Sequence, residues 1–165
     1  MRDIADILEK SILLPKKEKL IAALESVILG KEKNYIPETK NPQYFEIWFY
    51  LSFDFRYVII GYKNYAIDLA NEKDEELINS LYEEFKEDYD SLIEAEGDFF
   101  KLQKELEFNF FADCWEELEM RIGKKIRCFL IEHGIIRGLD VNKRERVDGE
   151  LLGEILDEEG IENRF

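Results

Sequence analysis

The stretch from Tyr44 to Ala70 constrains the fold of this chain more than any other, because its aromatic and β-branched side chains must find an interior. Phe45, Ile47, Phe49, Leu51 and Phe53 fall on one parity, and Tyr44, Glu46, Trp48, Tyr50, Ser52 and Asp54 on the other. That period of two is the mark of a strand whose first face is apolar and whose second is mixed. β-Branched and aromatic residues recur through Tyr57–Tyr62, and Lys63-Asn64 separates them from Tyr65–Ala70. A meander of three short antiparallel strands is expected. Glu46, Asp54 and Arg56 exclude a membrane helix here, which needs about twenty largely apolar residues in a row. On the mixed face Tyr44, Trp48 and Tyr50 form a possible ligand face, although aromatics at strand spacing are more often core.

The flanking segments have helical periods. Ile4, Ile7, Leu8 and Ile12 precede Pro15, which should end or kink a first helix. Leu20, Ile21, Leu24, Val27 and Ile28 then make a second stripe that stops at Gly30. Residues 1–30 are therefore expected as a helical hairpin, joined by a polar loop over 31–43 to the sheet. Beyond it, the acidic first turn Glu72, Asp74, Glu75, Glu76 opens a predicted helix running to about Ala95, on the apolar stripe Leu77, Ile78, Leu81, Tyr82, Phe85, Tyr89, Leu92, Ile93, and closed by Gly97. Residues 99–111 are ambiguous in period, with helix favoured, and Ala112–His133 is read as a second strong helix on the stripe Trp115, Leu118, Ile122, Ile126, Phe129, His133. Residues 135–147 read as a basic loop or short strand, followed by a short acidic helix over 148–159. The expected fold is α+β in a single domain spanning 1–165: an N-terminal helical hairpin, a small antiparallel sheet of about three strands, then three to four helices packed on it.

Charge is distributed unevenly along this sequence of net charge −15. Residues 71–98 hold twelve acids and two bases, whereas residues 121–146 hold eight bases and three acids. At 100° per residue, Glu72, Glu76, Glu83, Glu87, Asp90 and Glu94 fall within about 40° of one line on the predicted 71–96 helix, a carboxylate ladder about 33 Å long. Like charges at i and i+4 repel by a few tenths of a kcal/mol per pair. Relief comes either from solvent and the chain's own basic segment (Arg121, Lys124, Lys125, Arg127, Arg137, Lys143, Arg144, Arg146), or from a basic partner protein. The overall charge excludes direct binding to nucleic acid or anionic membrane, both of which need cationic surface.

Nothing in the residues points to catalysis, a cofactor or a metal. The single histidine, His133, lies on an apolar stripe just before Gly134, where a core or capping role is expected. Cys114 and Cys128 fall in one predicted helix about 21 Å apart, beyond disulfide reach, and are expected as free thiols. There are six serines and threonines and no phosphate-binding glycine loop or nucleophile elbow. Carboxylates act as acid and base only where burial raises one of their pKa values, which an exposed ladder does not provide. The early acids Asp3, Asp6 and Glu9 do not form a secretory leader, so a cytoplasmic protein is expected.

In size, acidity and lack of catalytic motifs the chain resembles the small acidic immunity proteins that neutralise bacterial toxins. That resemblance implies a non-enzymatic binding protein, an immunity- or antitoxin-type inhibitor that covers the basic surface of a toxin or nuclease through Glu72, Glu76, Glu83, Glu87, Asp90 and Glu94. The alternatives are a small-ligand protein or enzyme using the aromatic sheet face, and a structural or homo-oligomeric subunit.

Overall fold

The computed structural model describes residues 3–33, 44–49, 57–60, 65–132 and 137–158, with backbone alone at 44–49, 57–60, 65, 131, 132, 137 and 156. The architecture is α+β. The chain opens with α1 (Ile4–Leu8), whose N-cap Asp3 carboxylate accepts the Asp6 N–H at 3.1 Å. No reversal separates it from α2 (Lys17–Ile28). Instead the chain stays right-handed helical through a π-turn at Glu9–Leu13 and a 3₁₀ turn at Leu14–Lys16. The expected hairpin is thus a single bent rod. Pro15 has no N–H and would clash with the carbonyl four residues back in a regular helix. Widening the turn before it, with Leu14 N–H reaching Glu9 O, lets the proline be carried without breaking the rod. α2 buries Leu20, Ile21, Leu24 and Val27 as the stripe foretells, and Gly30 closes it at φ 69° with the Lys31 N–H on Ser26 O at 2.8 Å.

The meander expected over 44–70 is present as β1 (Tyr44–Phe49), β2 (Tyr57–Ile60) and β3 (Tyr65–Asp68), paired antiparallel in sequence order. It is half of a larger sheet. β4 (Arg127–Glu132), β5 (Arg137–Asp140) and β6 (Glu145–Asp148) make a second antiparallel meander, and β1 runs parallel to β4, giving the order β3-β2-β1-β4-β5-β6. The helix expected over 112–133 is therefore corrected at its second half, and the basic segment after it, expected as loop or short strand, holds β5, β6 and the turn between them. Gly123 is the reason: at φ 68° it takes the left-handed conformation that ends a helix, with the Lys124 N–H on Glu119 O at 3.2 Å. The run Cys128-Phe129-Leu130-Ile131 beyond it is apolar on both parities, as suits a central strand covered on both faces. Cys114 and Cys128 lie on a helix and a strand, not on one rod; both are free and buried. His133 and Gly134, like most of the 31–43 loop, lie outside the described residues.

Between the meanders run α3 (Asp74–Phe85) and the long α4 (Leu92–Ile122), which includes residues 99–111 and carries Gly97 in its interior. α5 (Gly149–Glu158) ends the described chain. One core cluster joins α2 and α4 to the sheet through Leu24, Phe111, Trp115, Leu118, Ile67, Cys128 and Leu130. A second joins α1, α3 and α4 through Leu8, Ile12, Ile78, Leu81 and Phe99. Leu139 packs toward α2 and α4, so its neighbour Gly138 faces the other side of the sheet, where α5 lies. The fully buried Leu152 occupies the space that a methyl group on Gly138 would need.

The bend at Pro15 brings Lys16 inward. Its ammonium meets the Asp74 carboxylate at 2.6 Å, both side chains being buried, and so ties the N-terminal rod to the first turn of α3. Removing one member of a buried pair strands the other, at a cost of about 3–5 kcal/mol. Asp74→Ala is expected to lower unfolding stability by about that amount, and Lys16→Met to cost less in that background than alone. Urea denaturation of the two single variants and the double variant measures the coupling; strict additivity would contradict the pairing. By the same assay Gly123→Ala is expected to cost about 1–2 kcal/mol for a forced left-handed residue, and Gly123→Asn less.

Candidate functional site

The carboxylate ladder does not run along one straight helix. α3 gives way to a 3₁₀ turn at Lys86–Asp88, Tyr89 is extended (φ −116°, ψ 139°), and Ser91 caps α4 by accepting the Glu94 N–H at 3.4 Å. This is an elbow built by a Ser-x-x-Glu capping pattern, which competes successfully with continuation of the helix. The aromatic residues read as one helical stripe instead close the elbow. Phe85 stacks on Tyr89 with centroids 5.1 Å apart, Phe99 meets Phe85 at 5.2 Å and Tyr82 at 5.3 Å, and the Tyr89 hydroxyl donates to Asp98 at 3.0 Å. Desolvation and that carboxylate hold the Tyr89 phenol above its usual pKa.

The break redistributes the six ladder residues. Glu72 precedes α3, Glu76 lies in its first turn, and Glu83 in its last turn pairs with Lys86 at 2.6 Å. Glu87 sits in the 3₁₀ turn, Asp90 at the bend and Glu94 in the first turn of α4. All six are exposed. Glu76 and Glu94 also have a structural reason to be there, since negative charge suits a helix N-terminus. Glu87 and Asp88 follow the C-terminal end of α3, where that dipole disfavours them. Beside them Leu92 and Ile93, expected to be core, stand 64% and 84% exposed. The acidic stretch thus also exposes two aliphatic side chains.

Arg121, Arg127 and Arg144 of the basic segment are paired elsewhere. Arg121 pairs with Glu18 and Glu117, Arg127 holds Asp140 through both terminal nitrogens at 3.1 and 2.6 Å, and Arg144 binds Asp113 and Glu116. The salt bridging expected of these arginines is internal, but its acids belong to α2, α4 and β5. None of their partners is a ladder residue.

A larger cleft, about 540 Å³, opens between the C-terminal half of α4 and the start of β4, lined among others by Glu119, Lys125, Arg127, Asn142 and Arg144. Sequence reasoning missed it, having placed 112–133 in one helix. Its polar groups are largely engaged in holding the α4–β4 junction. Trp115 Nε1–H donates to Ile126 O at 3.1 Å, Glu119 accepts the Ile126 N–H at 2.8 Å, and Asn142 accepts the Cys128 N–H at 2.8 Å while donating to Ile126 O at 3.0 Å. With both arginines also paired, the cleft is a structural joint. Tyr44 and Trp48 take the register positions beside Arg127 and Ile131; their side chains, and all of Tyr50, lie outside the described residues.

Among the described residues no three His, Cys, Asp or Glu side chains are grouped so as to hold a metal ion, and no helix is long and apolar enough to cross a membrane. No protein-family model, curated protein or solved structure matches the chain.

Neither cysteine is poised as a nucleophile. Burial pushes the Cys114 thiol from 9.0 up to about 12, and burial together with Glu119 and Asp140 raises Cys128 as well. The native state therefore binds thiol protons more tightly than the unfolded chain. Stability from this source is complete below about pH 9 and is lost as pH rises toward about 12. Both thiols are expected to resist a disulfide reagent at pH 8 until urea unfolds the protein; rapid labelling of the native form would contradict this environment.

Proposed function

We propose that the chain is a non-enzymatic cytoplasmic binding protein whose acidic α3–α4 elbow covers a basic surface on a partner protein, in the manner of an immunity- or antitoxin-type inhibitor of a toxin or nuclease. The observation that carries this reading is the elbow. Glu87, Asp90 and Glu94 have no ion-pair partner among the described residues, and they flank the exposed Leu92 and Ile93 along the chain. A protein gains little stability from such a surface alone. In contact with a basic partner, the carboxylates would steer association and the aliphatic pair would supply the desolvated centre typical of binding hot spots.

Immobilised protein is expected to retain a basic protein from lysate of its source at low salt. The capture should weaken steeply as salt rises, because exposed charges are screened within about 10 Å at 0.1 M. It should also be lost in the triple reversal Glu83→Lys, Glu87→Lys, Asp90→Lys. Retention of no basic protein, or capture unaffected by the reversal, would overturn the reading.

A further inference from the structure

α3 and α4 enclose a small groove beside the elbow, about 190 Å³ in volume and lined by Ile78, Asn79, Tyr82, Glu96 and Phe99. Small-molecule sites run to about 300–1,000 Å³. This one has room for a single side chain. Its floor is apolar, with Ile78 and Phe99 buried and the half-buried Tyr82 ring beside them; its mouth is polar, with Asn79 and Glu96 exposed. Leu92, one helical turn before Glu96, is 64% exposed.

We propose that this groove receives an arginine side chain of the partner, with its aliphatic stem against Ile78, Tyr82 and Phe99 and its guanidinium on the Glu96 carboxylate. The inference rests on the binding reading above and names its anchor. A long side chain with an apolar stem and a cationic head matches a pocket that is apolar below and acidic above. Charge selects it over leucine or methionine: Glu96 has no ion-pair partner among the described residues and lies in a segment with twelve acids against two bases. The Tyr82 ring already accepts a cation within the chain, although Lys86 and Glu83 do not line the groove. Lys86, one turn beyond Tyr82, holds its ammonium 5.8 Å from the Tyr82 ring centroid and 2.6 Å from Glu83. A guanidinium is the better occupant for the groove because it can stack on the ring while forking to a carboxylate, which a point-charge ammonium cannot.

The test is an NMR titration of the full chain with a hexa-arginine peptide and its hexa-citrulline counterpart, identical in shape but uncharged. The arginine peptide is expected to bind in a salt-sensitive manner and to shift Asn79, Tyr82, Glu96 and Phe99; citrulline should not. Glu96→Gln should weaken binding up to about fivefold, the upper range for a partly screened ion pair. Asn79→Phe, which fills the groove without changing charge, should weaken it similarly. If the peptide binds but its shifts lie elsewhere on the elbow and both variants bind normally, the groove assignment is wrong while the acidic-surface reading survives. If the arginine peptide does not bind at low salt, or citrulline binds equally well, both fall.

Discussion

Two strands that lie parallel and side by side cannot be joined by a tight turn, so the pairing of β1 with β4 obliges all of the chain between them to cross over and return. The returning arm is α4, which leaves the elbow at Ser91 and delivers the chain to β4 through Gly123. Strands at such a seam need cover on both faces. α2 and α4 supply it on one side, through Leu24, Phe111 and Trp115 against Cys128 and Leu130; on the opposite face α5 lies over β5 and β6, where Leu152 sits over Gly138. The junction at Ile126 is correspondingly over-determined: Trp115, Glu119 and Asn142 all bond to its peptide groups. The elbow answers to different contacts, since the second cluster joins α3 to α1 and α4.

This division separates two populations of charge. Several acids on the strands and helices around the sheet are matched: Asp140 by Arg127, Asp113 and Glu116 by Arg144, Glu18 and Glu117 by Arg121. Asp74 is matched by Lys16 in the interior. Glu87, Asp90 and Glu94 at the elbow have no such partner among the described residues, and neither do Glu150 and Glu154 on α5. The same comparison disfavours the larger cleft, whose arginines and carboxylates already have work within the fold.

Much of the fold was legible from period. The strand pattern of 44–70, the stripe of α2 with its stop at Gly30, and the short terminal helix all follow from local rules that tertiary structure leaves intact. Two failures share a cause. Ile122, Ile126 and Phe129 fall at helical spacing by coincidence, while a short apolar run such as Cys128–Ile131 fits a buried strand as well as a helix. Gly123 was the signal that should have decided it. Likewise Leu77–Ile93 has a helical period throughout, and only Ser91 with Glu94 marks the break. The hairpin at Pro15 failed for the opposite reason: a strong breaker was absorbed by a π-turn. Of the site, residue identities were readable and their geometry was not. Glu96 fell outside the ladder because its place beside Tyr82 and Phe99 depends on the elbow.

The central seam also bears on how such a chain reaches its native state. Each meander closes through connections of a few residues, and ordering them costs little chain entropy. Joining β1 to β4 closes a loop that contains two strands and two helices, so the largest entropic cost in the topology falls at the middle of the sheet and not at its ends. Until that joint forms, each meander has a second open edge where its neighbour belongs. The helix that spans the gap is thus also what holds the two halves near enough to find each other.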